Sequence, residues 1–253
     1  MHISADTPRP EPPSLSRIPP GRGLRVVGDV HGDARAFAAA AATDLFVLQL
    51  GDLIDNGPDS AASLRIMFEL IDQGRGLFLL GNHDLKLARA LSGHSVRSDD
   101  PLARTLEQLD DGLRARALRE IMRAPAWVGH GHAPASRMLF VHGGFHTAML
   151  DGEPPPVPAG RVNGVLARAL YGEPTGRIQQ DGYPERSLRW VDRIPEGLTV
   201  YCGHDRRSTD GRPYVRHNAH GGTAVFLDTG AGKGGHLSWI DLPASSRPLG
   251  EHG

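Results

Sequence analysis

The chain has 253 residues, of which 39% are hydrophobic, and its formal net charge is -1. This length and composition allow a sizeable core, and we expect one large domain. The near-neutral charge argues against stable binding to double-stranded nucleic acid. The single cysteine, Cys202, excludes an internal disulfide and is typical of a reducing compartment, so we expect a cytoplasmic protein.

The first 23 residues are rich in proline and carry few large apolar side chains. Such a segment buries too little surface to offset the entropy of ordering it, so residues 1–23 predict a flexible arm. They contain no apolar signal-peptide core, and no later run is long enough to span a membrane. We expect a single domain over 24–243 and a flexible tail over 244–253.

Strands and helices alternate in the first third of the chain. Short apolar runs at 24–27, 45–50 and 77–80 predict three strands, and the stretches 34–42 and 60–73 between them predict helices. This alternation indicates right-handed crossovers and a mainly parallel sheet. Polar residues should then collect at the carboxyl ends of its strands.

The rest of the chain has a different pattern. Residues 85–122 carry leucines between charged residues and predict a helical insert over one rim of the sheet. A strand is predicted at 138–141, followed by a connection dominated by loops. Three later apolar runs, separated by glycine-rich turns, predict strands of a second sheet at 198–202, 224–227 and 237–242.

Metal-binding residue types follow the predicted strands in five blocks. They are Gly-Asp-Val-His-Gly at 28–32, Gly-Asp-Leu-Ile-Asp at 51–55, Gly-Asn-His-Asp at 81–84, His-Gly-Gly at 142–144 and Gly-His at 203–204. Carboxylate and amide oxygens combined with imidazole nitrogens suit Mn²⁺, Fe²⁺ or Zn²⁺ better than Ca²⁺ or a thiolate zinc site. One such block alone is often a turn. Five of them at strand ends predict a metal centre.

The five blocks, in this order, resemble those of the calcineurin-like metallophosphoesterases, specifically the phosphoprotein-phosphatase (Ser/Thr phosphatase) branch. The resemblance implies an α/β fold in which a β-sandwich is flanked by helices in four layers, with the helical insert added to it. It also implies two divalent metal ions. Mn²⁺ is the preferred metal, and Fe²⁺, Zn²⁺, Ni²⁺ or Mg²⁺ are alternatives. The implied ligands are Asp29 and His31 for the first ion, Asp52 for both, and Asn82, His142 and His204 for the second.

The resemblance further implies a phosphatase mechanism. Two ions held close together lower the pKa of a bridging water, so that hydroxide forms near neutral pH and attacks the phosphorus atom. His83 is implied as the general acid that protonates the leaving alkoxide. Asp55 is implied to orient His83 and to raise its pKa.

A closer likeness extends beyond these blocks. Residues 81–109, 169–176, 181–184 and 227–237 are similar to the phosphatase domain of bacterial polynucleotide kinase-phosphatase, an enzyme that heals RNA ends. The run Gly-Ala-Gly-Lys at 230–233 does not make a kinase P-loop, because it lacks the leading spacing and the following Ser or Thr.

The chain departs from the family pattern at Asn56, where an arginine that binds phosphate is expected. An amide carries no charge and donates fewer hydrogen bonds, so phosphate affinity should fall unless another arginine substitutes. We predict that Arg168 takes this role. Other candidates are Arg161, Arg177, Arg206 and Arg207.

These observations predict a phosphatase that hydrolyses phosphate monoesters. Its substrate is left open between phosphoproteins, 2′ or 3′ phosphates at RNA ends, and dinucleoside polyphosphates. The missing arginine also leaves open a metal-binding regulatory protein with little turnover.

Overall fold

The computed structural model describes residues 22–96, 99–130, 137–157, 161–162, 164–179 and 184–244. The predicted arm and tail lie outside these residues, apart from Arg22, Gly23 and Ala244. In chain order the strands are β1 (Leu24–Val27), β2 (Phe46–Gln49), β3 (Gly76–Phe78), β4 (Trp127–His130), β5 (Arg137–Val141), β6 (Glu173–Ile178), β7 (Pro184–Ser187), β8 (Leu198–Cys202), β9 (Tyr214–His217), β10 (Thr223–Phe226) and β11 (Trp239–Leu242). The helices are α1 (Ala34–Ala41), α2 (Ser60–Asp72), α3 (Asn82–Leu91), α4 (Asp100–Gln108), α5 (Asp111–Arg123) and α6 (Gly164–Tyr171).

The strands form two main sheets and a separate hairpin. The first sheet has the order β11-β1-β2-β3, in which β1, β2 and β3 are parallel, as predicted. The second has the order β4-β5-β8-β10-β9, with three parallel central strands and an antiparallel strand at each edge. Strands β6 and β7 form the hairpin.

The two sheets pack face to face on an apolar layer. Val26 and Leu48 of the first sheet share this layer with Phe140, Tyr201 and Val225 of the second. Each large apolar side chain that is fully buried in this way contributes about 1.5–3 kcal/mol to folding. The opposite sheet faces are covered by helices, with Val47 and Phe78 in one cluster with residues of α1 and α2. The predicted α/β sandwich flanked by helices is confirmed.

One strand lies in a different sheet from the one predicted. The run 237–242 was expected in the second sheet, but β11 pairs antiparallel with β1 at the edge of the first. Arg25 donates two 2.7 Å hydrogen bonds to the carboxylate of Asp241, and its guanidinium lies 5.5 Å from the Trp239 ring centroid. These contacts depend on cross-strand neighbours, which an apolar pattern along the chain does not reveal.

Strands β6 and β9 were missed because their sequences lack an apolar period, and helix α6 was missed although its sequence has one. Strand β6 consists mainly of exposed residues and contains Pro174 and Gly176, so it has the composition of a loop. Strand β9 is an edge strand that leaves Tyr214 and Val215 exposed. Helix α6 follows the segment that was interpreted as loop.

The insert contains helices α3, α4 and α5, which agrees with the predicted helical segment 85–122. Asp99 and Asp110 cap the starts of α4 and α5 by accepting hydrogen bonds from the N–H groups of Leu102 and Leu113. Gln108 of α4 accepts hydrogen bonds from two N–H groups at the start of α2, so the insert is fixed to the first sheet's helical layer. Among the described helices, none combines the length and apolar character needed to cross a membrane.

Candidate metal centre

The candidate site lies where the parallel strands of both sheets end. Strands β1, β2 and β3 lead into the loops with Asp29, Asp52 and Asn82, and β5 and β8 lead into those with His142 and His204. Carboxyl ends of parallel strands share one edge of a sheet, and packing places the two edges side by side. The chain therefore brings five distant loops to one point.

Asp52 lies at the centre of the group. Its Oδ2 is 3.8 Å from Nε2 of His31 and 3.4 Å from Nε2 of His142. Two groups of side chains that could each hold a metal ion, with their donor atoms within 4.8 Å of one another, include Asp52: one with His31 and His83, the other with His142 and His204. A carboxylate shared by two ligand sets is the arrangement that two neighbouring ions require.

Asp29 and Asn82 complete the predicted set. Oδ2 of Asp29 is 3.7 Å from Nε2 of His31, and both oxygens of Asp29 accept hydrogen bonds of 3.1 Å from the backbone N–H of His204. Oδ1 of Asn82 is 3.1 Å from Nε2 of His142. The structure thus brings all six predicted ligands together.

The environment of His142 fits a bound cation. Its Nδ1 is 2.9 Å from the Leu50 carbonyl oxygen, which accepts only, so Nδ1 carries a proton and Nε2 faces the oxygens of Asn82 and Asp52. Burial opposes a charge on this ring, but the Asp52 carboxylate outweighs burial and raises the pKa of His142 to about 10. A positive charge is therefore favoured between these groups, and their nitrogen and oxygen donors suit a divalent ion.

The protonation of His31 is fixed by its partners. The ammonium of Lys233 lies 2.8 Å from Nε2, and because an ammonium only donates, Nε2 accepts. Nδ1 is then the protonated nitrogen and donates to the carbonyl oxygen of Ile54 at 3.1 Å. Burial and the charge of Lys233 lower the pKa of His31 to about 3, so the ring is neutral and presents the Nε2 lone pair that a metal ligand needs.

Two glycines allow the loops to approach these carboxylates. A Cβ on Gly203 would lie 2.0 Å from Oδ1 of Asp29, and a Cβ on Gly81 would lie 2.2 Å from Oδ1 of Asp52. Neither distance is sterically allowed. The glycines that border the sequence blocks are therefore required by the close packing of the site.

Backbone strain is concentrated in the same loops. In the described residues, the non-glycine positions with positive φ are His31, Asp52, Asp55, Asn56 and His204, at 47° to 72°. Such conformations cost about 1–3 kcal/mol each and persist where surrounding structure holds them. All five belong to the sequence blocks or directly follow one, so the strain coincides with the candidate site.

The predicted contact between His83 and Asp55 is formed. Nδ1 of His83 lies 2.7 Å from Oδ2 of Asp55, and the backbone N–H of His83 donates to Oδ1 of Asp52 at 2.9 Å. Burial opposes the imidazolium of His83, but the carboxylates of Asp52 and Asp55 outweigh it and raise the pKa of His83. The other oxygen of Asp55 accepts a 2.7 Å hydrogen bond from Thr105 of the insert.

Comparison with known proteins identifies the family. The sequence profile of the calcineurin-like phosphoesterases matches residues 24–207. The chain belongs to this family. It is therefore a metal-dependent phosphoester hydrolase of the class that uses two divalent ions.

Relatives of this phosphoesterase include enzymes named for nucleotide substrates. The chain is 25% identical over 242 residues to the asymmetrical bis(5′-nucleosyl)-tetraphosphatase PrpE of Geobacillus thermodenitrificans, covering 87% of this chain and 90% of the relative. It is 31% identical over 181 residues to the symmetrical bis(5′-nucleosyl)-tetraphosphatase of Chromohalobacter salexigens, covering 68% and 61%.

Solved structures support the fold of the phosphoesterase. One, described as a putative diadenosine tetraphosphatase, has a TM-score of 0.55 at 20% identity and covers 90% of this chain and 96% of its own. Another is a Saccharomyces cerevisiae protein serine/threonine phosphatase with similarity to human phosphatase PP5, at a TM-score of 0.57 and 14% identity, covering 94% and 86%. The closer likeness to the polynucleotide kinase-phosphatase domain stays a prediction.

Asp84, a buried acidic residue behind the predicted ligands of the phosphoesterase, had no predicted role. Asp84 accepts hydrogen bonds from the N–H groups of Asp52, Leu53 and Gly81, and so ties the second block to the third. Burial and the nearby Asp52 raise the pKa of Asp84 to about 7. The sequence signal was present, because Asp84 is the last residue of the third block.

Arg186 of the hairpin contacts one of the predicted ligands, His204. Its Nη2 lies 3.1 Å from Nε2 of His204. Burial and the neighbouring His142 hold the pKa of His204 well below its usual range, so this nitrogen accepts from Arg186. Arg186 was not among the residues predicted from sequence, although the block 181–184 ends two residues before it.

The predicted arginines are placed differently. Arg168 forms a 2.7 Å ion pair with Glu173, and its side chain lies next to Gly144. Arg207 pairs with Asp205 and donates to the backbone carbonyl oxygen of Arg186, so it supports the loop that carries Arg186. Arg161 and Arg177 are exposed.

Proposed function

We propose that this phosphoesterase hydrolyses dinucleoside polyphosphates at a centre of two divalent metal ions. The observation that carries the two-ion centre is the position of Asp52, which belongs to two compact ligand sets. The substrate class is supported by the relatives, since asymmetrical and symmetrical tetraphosphatases both align with most of this chain.

The residues divide naturally between two ions. We assign Asp29 and His31 to the first ion, Asp52 to both, and Asn82, His142 and His204 to the second. Mn²⁺ is our first choice, because mixed oxygen and imidazole donors suit it. When bound, such a pair of ions supplies a water acidified to near-neutral pH and a clamp for the phosphoryl oxygens.

His83 is assigned to the leaving group. Its Nδ1 is bound to Asp55, so Nε2 is the nitrogen left to donate a proton to the oxygen that departs from phosphorus. Asp55 keeps the ring in this orientation and favours its protonated form. For a polyphosphate, the departing group is a nucleotide whose terminal phosphate takes that proton.

Arg186 is assigned to the substrate. It is a half-buried guanidinium on the hairpin beside His204, and its pKa is lowered by burial. The bidentate donor geometry of arginine matches a phosphate with two free oxygens. A phosphate oxygen at the second ion therefore comes within its reach, which supports substitution of Arg186 for the arginine missing at position 56.

The deciding experiment compares substrates with Mn²⁺ present. We would measure kcat/KM for diadenosine tetraphosphate, for a phosphothreonine peptide, and for an oligoribonucleotide with a 3′-phosphate. The expected result is preference for the tetraphosphate, and the product pair reports which anhydride bond is cut. A higher value for the peptide or the RNA end would overturn the substrate assignment while leaving the two-ion centre in place.

A regulatory protein with little turnover is distinguished in the same assay. The complete set of predicted ligands and the His83–Asp55 pair argue against a regulatory protein. Asn56 favours it, because its Nδ2 lies 3.1 Å from His31 and the residue brings no charge to the site. Two bound Mn²⁺ ions without turnover on any of the three substrates would favour the regulatory protein.

A further inference from the structure

The run Gly-Ala-Gly-Lys at 230–233, which is not a P-loop, forms a tight turn against the candidate site. The N–H groups of Lys233 and Gly235 both donate to the carbonyl oxygen of Gly230, at 3.0 and 2.9 Å. Gly230, Gly232 and Gly234 have φ values of 86°, 67° and 84°, which only glycine adopts easily. The turn is therefore built by its glycines.

The turn is wedged between two of the ligand loops. A Cβ on Gly232 would lie 2.3 Å from the carbonyl oxygen of His31 and 3.0 Å from the backbone nitrogen of Gly57. This contact leaves no room for a side chain at position 232. It places the next residue, Lys233, at the mouth of the site.

Lys233 brings a positive charge to the edge of the site that Arg186 does not reach. Its Nζ lies 2.8 Å from Nε2 of His31, on the side of Asp29 and Asp52, whereas Arg186 contacts His204. The residue as a whole is exposed, so its four-carbon stem enters from solvent and retains freedom to move. The neighbouring Asn56 faces the other nitrogen of the same ring and is neutral.

The contact of Lys233 with His31 uses the same lone pair that a metal ion would use. Nδ1 of His31 is committed to Ile54, so Nε2 has one lone pair to offer. An ion held by His31 therefore leaves the ammonium of Lys233 without this acceptor. The protein's own carboxylates near Lys233, those of Asp29 and Asp228, are buried, so a phosphate oxygen of the substrate beside the ion is an accessible acceptor for this donor-only group.

We propose that Lys233 is a substrate-binding residue that holds a phosphate oxygen beside the first metal ion, opposite Arg186. This inference rests on the two-ion centre proposed above. Two cations at opposite ends of the ligand group suit a chain of phosphates, which carries charge along its length. Lys233 thereby adds a positive charge beside His31, where Asn56 is neutral, and Arg186 supplies one beside His204.

The test measures phosphate binding and metal binding separately. Inorganic phosphate is titrated calorimetrically into the Mn²⁺-loaded full chain and into Lys233→Met, Lys233→Arg and Lys86→Met. Lys86 is the other lysine of the sequence and pairs with Asp99 on the insert, so its variant is the matched control. Bound Mn²⁺ is counted by elemental analysis in each protein.

Lys233→Met is expected to weaken phosphate binding by roughly 10- to 100-fold, the usual effect of losing one charge-assisted hydrogen bond. Lys233→Arg should recover most of the affinity, Lys86→Met should match the parent, and all should bind two ions. Unchanged phosphate affinity in Lys233→Met overturns the inference, as does a loss explained by fewer bound ions. A parent chain that binds no Mn²⁺ refutes the two-ion centre and this inference with it, whereas a wrong nucleotide substrate affects neither measurement.

Discussion

Thr105 of helix α4 donates a 2.7 Å hydrogen bond to Oδ1 of Asp55, fifty residues earlier in the chain. The same hydroxyl lies 3.0 Å from that of Ser60, which accepts from the N–H of Asp55. The carboxylate of Asp55 is thus held on one side by the insert and on the other by His83. The helical insert therefore has a direct structural link to the acid pair.

Thr105→Val tests this link. The valine keeps the shape but removes the donor, so Asp55 should hold His83 less firmly and kcat should fall by about 10- to 100-fold, as for partners that orient metal-site residues. KM should change little, because the Thr105 side chain is buried and its hydroxyl is bound to Asp55. Steady-state kinetics on Thr105→Val and Thr105→Ser give the comparison, and the serine should restore kcat. Equal losses in both variants would mean that packing, and not the hydroxyl, is responsible.

His83→Ala is expected to have a larger effect, because it removes the proton donor itself. General acid catalysis contributes about 10²- to 10⁴-fold, so kcat on a nucleotide substrate should fall by that order. Hydrolysis of a substrate with a better leaving group, such as p-nitrophenyl phosphate, depends less on protonation of that group, so its kcat should fall by a smaller factor. If both substrates lose the same factor, His83 is acting on the metal ligands instead of on the leaving group.

We expect substitutions of Arg186 and Arg168 to have different effects on phosphate binding. Arg186→Gln should lower kcat/KM by roughly 10- to 100-fold, because a charge-assisted contact next to His204 is lost. Arg168→Gln should have a small effect on kcat/KM, since its guanidinium is engaged by Glu173. The two variants are compared under identical Mn²⁺ concentrations. A large loss in Arg168→Gln with none in Arg186→Gln would restore the sequence-based assignment.

The convergence of the six predicted ligand side chains could be predicted from sequence, because each block follows a buried strand and parallel strands end at a common edge. The contacts that Thr105, Arg186 and Lys233 make at the site could not be predicted from sequence. Each reaches the site across more than fifteen residues of chain, from an insert, a polar hairpin and a glycine-rich turn. The hairpin and the glycine-rich turn lack the apolar period from which position in a fold is inferred. The apolar period of the insert predicts helices but does not show which residues they contact. The sheet of β11 was misassigned for a related reason, since its contact with Arg25 is not visible along the chain.

The pairing of Arg25 with Asp241 predicts a pH dependence of stability. The hydrogen bond from Arg25 lowers the pKa of Asp241 in the folded chain. The stabilisation is therefore complete above the unfolded pKa of about 3.9 and is lost as pH falls through the lower folded pKa. Because the Asp241 side chain is solvent-exposed, the contribution of the pair is at most about 1 kcal/mol. Urea unfolding of the parent and of Asp241→Asn should show this difference at neutral pH and a decrease below about pH 4. A pH-independent difference would exclude the ion pair as its cause.

Gly203→Ala tests whether the close approach to Asp29 is needed for metal binding. The added Cβ would lie 2.0 Å from Oδ1 of Asp29, so the carboxylate or the His204 loop must move away. We expect fewer than two Mn²⁺ ions per chain and a loss of kcat that excess Mn²⁺ restores only in part. Gly152→Ala is the matched control, because its Cβ would meet nothing within 4 Å. The measurement is elemental analysis after gel filtration, followed by Mn²⁺ titration of activity. Two tightly bound ions in Gly203→Ala would mean that Asp29 can shift without cost and is not confined by the loop of His204.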